Sequence, residues 1–201
     1  MSTTVSLKNR QPVLADSIPA SLLNNAALVV GAACLVGALA QISIPLGFTP
    51  VPLTGQTLGV LLIGSALGMY RGLLAMVLYV AAGLVGVPWF SAHSGGWHIA
   101  STPTFGYLVG FVVAAGLCGM LASRGADRTV LRSIPEMVLG NIVIYIFGVA
   151  WLAHNIHVGL GTAIHLGMTP FLWGDAIKVI IASLVLPATW KLVGHFRGDA
   201  S

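Results

Sequence analysis

The sequence predicts an all-α integral membrane protein built from six membrane-spanning helices. Three observations predict it. First, 57% of the 201 residues are hydrophobic and only 7% are charged, where a soluble domain carries roughly 25% charged residues. So few charges cannot cover a water-facing surface. Second, apolar runs close to the ~20 residues that cross a bilayer alternate with short polar breaks. Third, the basic residues fall on alternate breaks. Lys8, Arg10, Arg71, Arg124, Arg128, Arg132, Lys191 and Arg197 lie on one side, while the loops 45–56, 91–103 and 156–170 hold no Lys or Arg. The positive-inside rule makes the first side cytoplasmic, with both termini on it. Six crossings are needed for that assignment to close.

Residues 1–24 read as a cytoplasmic, partly amphipathic arm. They lack the apolar core and cleavage site of a signal peptide. Residues 25–193 form one six-helix domain, because no long polar linker divides them. The first span, 25–44, ends at Pro45. The second, 57–69, is short and stops at Tyr70-Arg71-Gly72. The third, 73–90, has Pro88 near its end. The fourth, 104–122, follows Pro103. The fifth, 136–155, opens at Glu136. The sixth, 171–193, follows Pro170, and 194–201 is a cytoplasmic tail. Three small-residue pairs, Ala27-x3-Gly31, Ala33-x3-Gly37 and Cys34-x3-Ala38, let another helix approach the first span closely. That helix can belong to this chain or to a partner. Cys34 and Cys118 lie in apolar runs and read as small packing residues.

Several function classes are excluded. The net charge of +4 is spread over short breaks, which is a membrane-orientation pattern and not a nucleic-acid footprint. No G-x4-G-K-[ST] occurs, so the chain does not itself hydrolyse ATP. No Ser/His/Asp or paired-carboxylate arrangement supports catalysis, and nothing calls for a cofactor. His93 and His98 lie in the loop 91–103, and His154, His157 and His165 flank the loop 156–170, but no Cys or acid accompanies them at ligand spacing. They read as interfacial residues and not as a metal site.

The most informative residues are Asp175 and Lys178. Lys178 is the one basic residue inside a span, and Asp175 precedes it by three, so the two share a helix face. Charges at that depth are costly and face a cavity or a partner. The pair lies in the outer half of the sixth span, so a ligand is met from outside. The loop 45–57 holds three prolines and two glycines, which rule out regular helix. Irregular backbone at membrane depth lines a cavity or is buried by protein. Thr54, Gln56 and Thr57 supply neutral donors and acceptors there. In the loop 91–107, Gly96 allows close backbone approach, and Trp97 and Tyr107 offer flat walls. Trp173 is a third candidate wall. Together these describe a capped pocket open to the outside.

Four ordered stretches carry a resemblance: F-T-P-V-P-L-T-G-Q-T at 48–57, L-V-G-V-P-W-F at 84–90, P-T-F-G-Y-L-V-G-F at 103–111, and Gly174-Asp175-x2-Lys178. Across about residues 26–190 the chain resembles the BioY family, the biotin-binding S components of energy-coupling factor (ECF) transporters. The resemblance implies six helices in the bilayer lipid and a pocket near the outer face. It implies docking to a membrane coupling protein, the T component, which carries two ATPase subunits. It implies that Asp175, Lys178, Gln56 and Tyr107 contact biotin and that small residues of the first helix, Ala33, Gly37 and Ala38, face the coupling protein. Some members carry Arg where this chain has Leu108. The chemistry suits biotin: its ureido ring presents two N–H donors and one carbonyl, matched by an acid and an amine, and its apolar remainder needs an aromatic enclosure. A self-sufficient facilitator or ion-coupled carrier, using Asp175 and Lys178 for coupling, is the rival reading. An integral-membrane enzyme or a metal-handling protein is the third.

Overall fold

The computed structural model describes residues 11–198; Lys8 and Arg10 lie outside them. Helix α1 is Leu22–Ala40, capped by Ser21, whose Oγ accepts from the Asn24 N–H at 3.0 Å. A two-residue hairpin follows, β1 (Ser43–Ile44) paired antiparallel with β2 (Leu53–Thr54). Then come α2 (Gln56–Val85), α3 (Phe105–Ala122), α4 (Val130–Asn155), α5 (Leu160–Gly167) and α6 (Leu172–Gly198). Short 3-10 turns at Leu14–Ser17, Ser91–His93, Trp97–Ser101, Ala126–Arg128 and Thr169–Phe171 punctuate the chain. Five helical stretches among the described residues are long and apolar enough to cross a membrane.

The second of those stretches is broken inside a single helix. Gly68 has φ +79 and ψ 174, backbone that a side chain resists, and it breaks α2. The halves 56–67 and 69–85 fold back on each other. Gln56 Nε2 donates to the Tyr79 hydroxyl at 2.8 Å, although 23 residues separate them; a straight helix would hold them ~34 Å apart. The break falls at Gly68, not at the expected Tyr70-Arg71-Gly72. Glycines then bring helices to backbone contact. A Cβ on Gly64 would lie 2.8 Å from the Ala115 Cα, and one on Gly119 would lie 2.3 Å from the Gly68 carbonyl carbon. This close approach packs α2 on α3, and α3 packs in turn on α4.

Polar contacts mark one end of the bundle. There the residues before α1 lie across the Gly68 bend and the α3–α4 turn. Arg71 Nη1 bonds Asp16 Oδ1 at 2.8 Å, the Gln11 N–H donates to the Ser123 carbonyl at 2.8 Å, and Arg128 Nη2 donates to the Pro12 carbonyl at 2.6 Å. The last turns of α6 join this end: the Trp190 indole N–H donates to Asp127 Oδ2 at 2.5 Å, and the Arg128 guanidinium sits 3.4 Å over the Trp190 ring. Arg71, Arg124 and Arg128 thus gather at one end, while the loops without basic residues gather at the other. Burial pushes the Asp127 carboxyl above the ordinary carboxylate range, against the Trp190 hydrogen bond and the Arg128 charge, which pull it down.

Three expectations change here. The segment 156–170 is not a bare loop, since α5 occupies Leu160–Gly167. The helix expected from Glu136 starts at Val130. Ala33 and Gly37 do not face outward. Both are buried, and a Cβ on Gly37 would lie 3.2 Å from the Trp89 side chain. Trp89 uses that side of α1, so the helix presents its other small residues, Ala27, Gly31, Cys34 and Ala38, on the exposed side.

Candidate functional site

The site forms on the side opposite the arginines, where the hairpin, the segment 90–104, the first turns of α2, α3 and α6 and the middle of α4 converge. Asp175 lies in the first turn of α6, just after the Thr169–Phe171 turn set by Pro170. Lys178 follows one turn on, and its Nζ lies 2.9 Å from Asp175 Oδ1. Two further helices complete the pair. Lys178 Nζ donates to Thr57 Oγ1, in the first turn of α2, at 2.8 Å, and the Tyr145 hydroxyl of α4 donates to Asp175 Oδ2. Each charge therefore has a neutral partner besides its counter-ion, which is what a buried pair needs to offset its desolvation.

A cavity of about 430 Å³ opens beside this group. Among the described residues, Asp175 and Lys178 are its only charged lining residues. Thr54, Gln56, Thr57 and Tyr107 line it as well, so five of the eight candidate ligand residues (Thr54, Gln56, Tyr107, Asp175 and Lys178) meet at one place. Tyr107 contributes its ring, because its hydroxyl is spent on the Gly167 carbonyl at 2.7 Å. Most of the remaining wall is apolar, with Phe90, Phe111, Ile144 and Phe171 among it. The result is a small apolar chamber with polar groups converging at Asp175, the form expected for a compact ligand with one polar head.

Three candidates are not at the cavity. Trp97 is 76% exposed and Trp173 is 84% exposed, and neither lines it. Trp173 precedes Asp175 by two residues, so it points to another side of α6. Gly96, at φ +102, donates its N–H to the Gly83 carbonyl at 2.7 Å and supports the loop from behind. The aromatic walls are instead Phe90, Phe111, Tyr145 and Phe171. Of these, Phe90 and Phe111 close two of the stretches that carry the family resemblance, and Tyr145 carries a signal of its own: a hydroxyl inside an apolar span needs a partner.

Gln41 also supports the site, and nothing in the sequence around it signals that role. It stands at the end of α1, where its Nε2 donates to the Trp89 carbonyl at 3.1 Å and its Oε1 accepts from the His93 N–H at 3.2 Å. With the Ser43–Ser91 hydroxyl contact at 2.6 Å, it ties α1 and β1 to the loop that walls the cavity. That loop holds Ala92 and His93 at φ +58 and +54, a strained backbone for residues with side chains.

The chain matches known proteins over most of its length. The BioY family profile covers residues 8–195. A protein named biotin transporter BioY from Rhizobium etli is 37% identical over 149 residues, 71% of this chain and 79% of that protein. One of the same name from Thermotoga maritima is 39% identical over 153 residues, covering 76% and 88%. The crystal structure of an S-component for biotin from an ECF-type ABC transporter aligns with a TM-score of 0.77 at 23% identity, over 84% of this chain and 92% of that one. The last match concerns the fold, and the first three concern descent. On the profile and the two named relatives the chain belongs to the BioY family.

Proposed function

We propose that this chain is the substrate-capture component of a biotin uptake system. It is a transporter subunit and not an enzyme. The observation that carries the reading is the cavity itself: an apolar chamber of about 430 Å³ whose charged lining is one acid and one amine, 2.9 Å apart. Biotin is a small ligand with an apolar body and a polar ureido head, and relatives covering most of this chain are named biotin transporters.

In the bilayer the two halves of α2 count as separate crossings, which with α1, α3, α4 and α6 makes six. The arginine-bearing end then faces the cytoplasm with both termini, and the cavity faces outward. Residues 1–24 form a cytoplasmic arm and 194–201 a cytoplasmic tail around one domain. Biotin enters from outside, and a coupling protein with two ATPase subunits drives its release inward. Docking uses the exposed small residues Gly31, Cys34 and Ala38 of α1, because Ala33 and Gly37 are committed inside. Isothermal titration of the purified protein with biotin and with thiamine tests the substrate. Heat for biotin alone is the expected result, and equal or absent heat for biotin contradicts it.

A further inference from the structure

The hydrogen count around the cavity says more than the ion pair does. Lys178 Nζ carries three hydrogens, of which Thr57 Oγ1 and Asp175 Oδ1 take two. The third remains for the cavity. Thr57 accepts from Lys178, and its own hydrogen is 3.5 Å from Asp175 by heavy-atom distance, too long to hold it firmly. That hydrogen is also available. Asp175 receives Lys178 on Oδ1 and Tyr145 on Oδ2, so each oxygen keeps one lone pair. Around Asp175, then, the cavity offers two donors and an acceptor.

A second acceptor is set from behind the wall. Tyr79 is fully buried and does not line the cavity. Its hydroxyl touches two groups: the Trp89 carbonyl at 3.3 Å and the Gln56 side-chain amide at 2.8 Å. A carbonyl only accepts, so the single Tyr79 hydrogen goes to Trp89. That carbonyl also takes Gln41 Nε2, on its other lone pair. The Tyr79 oxygen is then left as an acceptor, and Gln56 must present its NH2 to it. The amide orientation follows: Gln56 Oε1 turns away from Tyr79. No described group donates to Oε1, and it is not sealed in protein, so it opens on the cavity that Gln56 lines.

We propose that Tyr79 is a positioning residue that fixes the Gln56 amide, so that the cavity presents two acceptors, Gln56 Oε1 and Asp175, together with two donors, Lys178 and Thr57. That set complements a cyclic urea, whose two N–H groups donate and whose carbonyl oxygen accepts twice. The inference rests on the biotin reading above and assigns each ureido N–H its own acceptor. A site with paired buried polar groups rejects an analogue that leaves one of them unmet.

The test uses biotin and two carbamate analogues, each with oxygen in place of one ureido N–H. The parent protein should bind both analogues more weakly than biotin. In Tyr79→Phe the ring still packs on Trp89 and Phe90, but the Gln56 amide is free to turn. Biotin affinity should fall about 3- to 10-fold, the worth of one neutral hydrogen bond. The penalty for one analogue should shrink by at least that factor, while the other stays at its parent value. Gln56→Leu, which removes the acceptor itself, should shrink the same penalty, and it stands as the independent arm should Tyr79→Phe not fold. Unchanged penalties in either folded variant, or shrinkage of different penalties in the two, overturn the proposal. A uniform loss for all three ligands shows a merely structural Tyr79 and also overturns it. Absence of biotin binding by the parent protein sinks the substrate reading instead.

Discussion

Gly37 meets Trp89 so closely that a Cβ on the glycine would sit 3.2 Å from the indole side chain. The contact fixes which way α1 faces. Trp89 also donates its indole N–H to the Tyr79 carbonyl at 3.0 Å, so α1 is tied through it to the second half of α2. Gly37→Trp should therefore lower both the melting temperature and biotin affinity. Gly31→Trp, where a Cβ meets nothing within 4 Å, should leave both near parental values and reduce co-purification with the coupling protein. Melting curves, titration and affinity pull-down of the two variants check this. Normal stability of Gly37→Trp contradicts the packing, and undiminished co-purification of Gly31→Trp contradicts the docking face.

The aromatic enclosure gives a second expectation. Phe171 is 5% exposed and lines the cavity, whereas Trp173 is 84% exposed and does not. Phe171→Ala should weaken biotin by about tenfold or more, given the ~1.5–3 kcal/mol that burying such a side chain contributes. Trp173→Ala and Trp97→Ala should change affinity by less than about twofold, in keeping with surface positions. Titration of the three variants decides, and the reverse ranking contradicts the cavity described above.

Asp127 gives a pH dependence. Its carboxyl is pushed above the ordinary range by burial in the α3–α4 turn. A group whose folded pKa is raised contributes stability below its unfolded pKa and loses it as pH rises through the folded value. Above that value the buried charge costs stability. Asp127→Asn keeps an oxygen for the Trp190 indole N–H and removes that cost. The variant should melt higher than the parent at neutral and alkaline pH, with the gap closing toward pH 4. A gap that is constant with pH contradicts the assignment.

Orientation is tested by labelling. In a variant lacking Cys34 and Cys118, single cysteines at positions 2 and 94 report the two sides. Membrane-impermeant maleimide should reach position 94 in intact cells and position 2 only after lysis. The opposite pattern reverses the topology.

Much of this was legible in the sequence because membrane spans are set by composition and length. The apolar runs ending at Pro45 and starting after Pro103 and Pro170 became α1, α3 and α6 to within a few residues. The Asp175–Lys178 pair followed from i,i+3 spacing alone. What stayed hidden depends on packing partners. Which side of α1 is buried is decided by Trp89, 52 residues beyond Gly37, and small residues on both sides gave no preference. Trp97 and Trp173 looked like walls because aromatic residues serve equally at a bilayer interface and in a pocket. The α2 reversal moved from residues 70–72 to Gly68 because only the positive φ, not the polar residues nearby, makes the turn. Helix α5 was missed because eight residues between glycines carry little periodic signal.

The central claim is that Asp175 and Lys178 hold the ligand and do not merely brace α6. Asp175→Asn or Lys178→Met alone leaves one buried charge unpaired, and each should weaken biotin by about 2–5 kcal/mol, part of it the cost of the abandoned charge. The double variant Asp175→Asn with Lys178→Met removes that part. Its biotin affinity, measured by titration beside its melting temperature, is the most direct test. The account predicts that affinity stays low, by roughly 30-fold or more, while the protein folds as stably as the parent. Parental affinity in a well-folded double variant contradicts it.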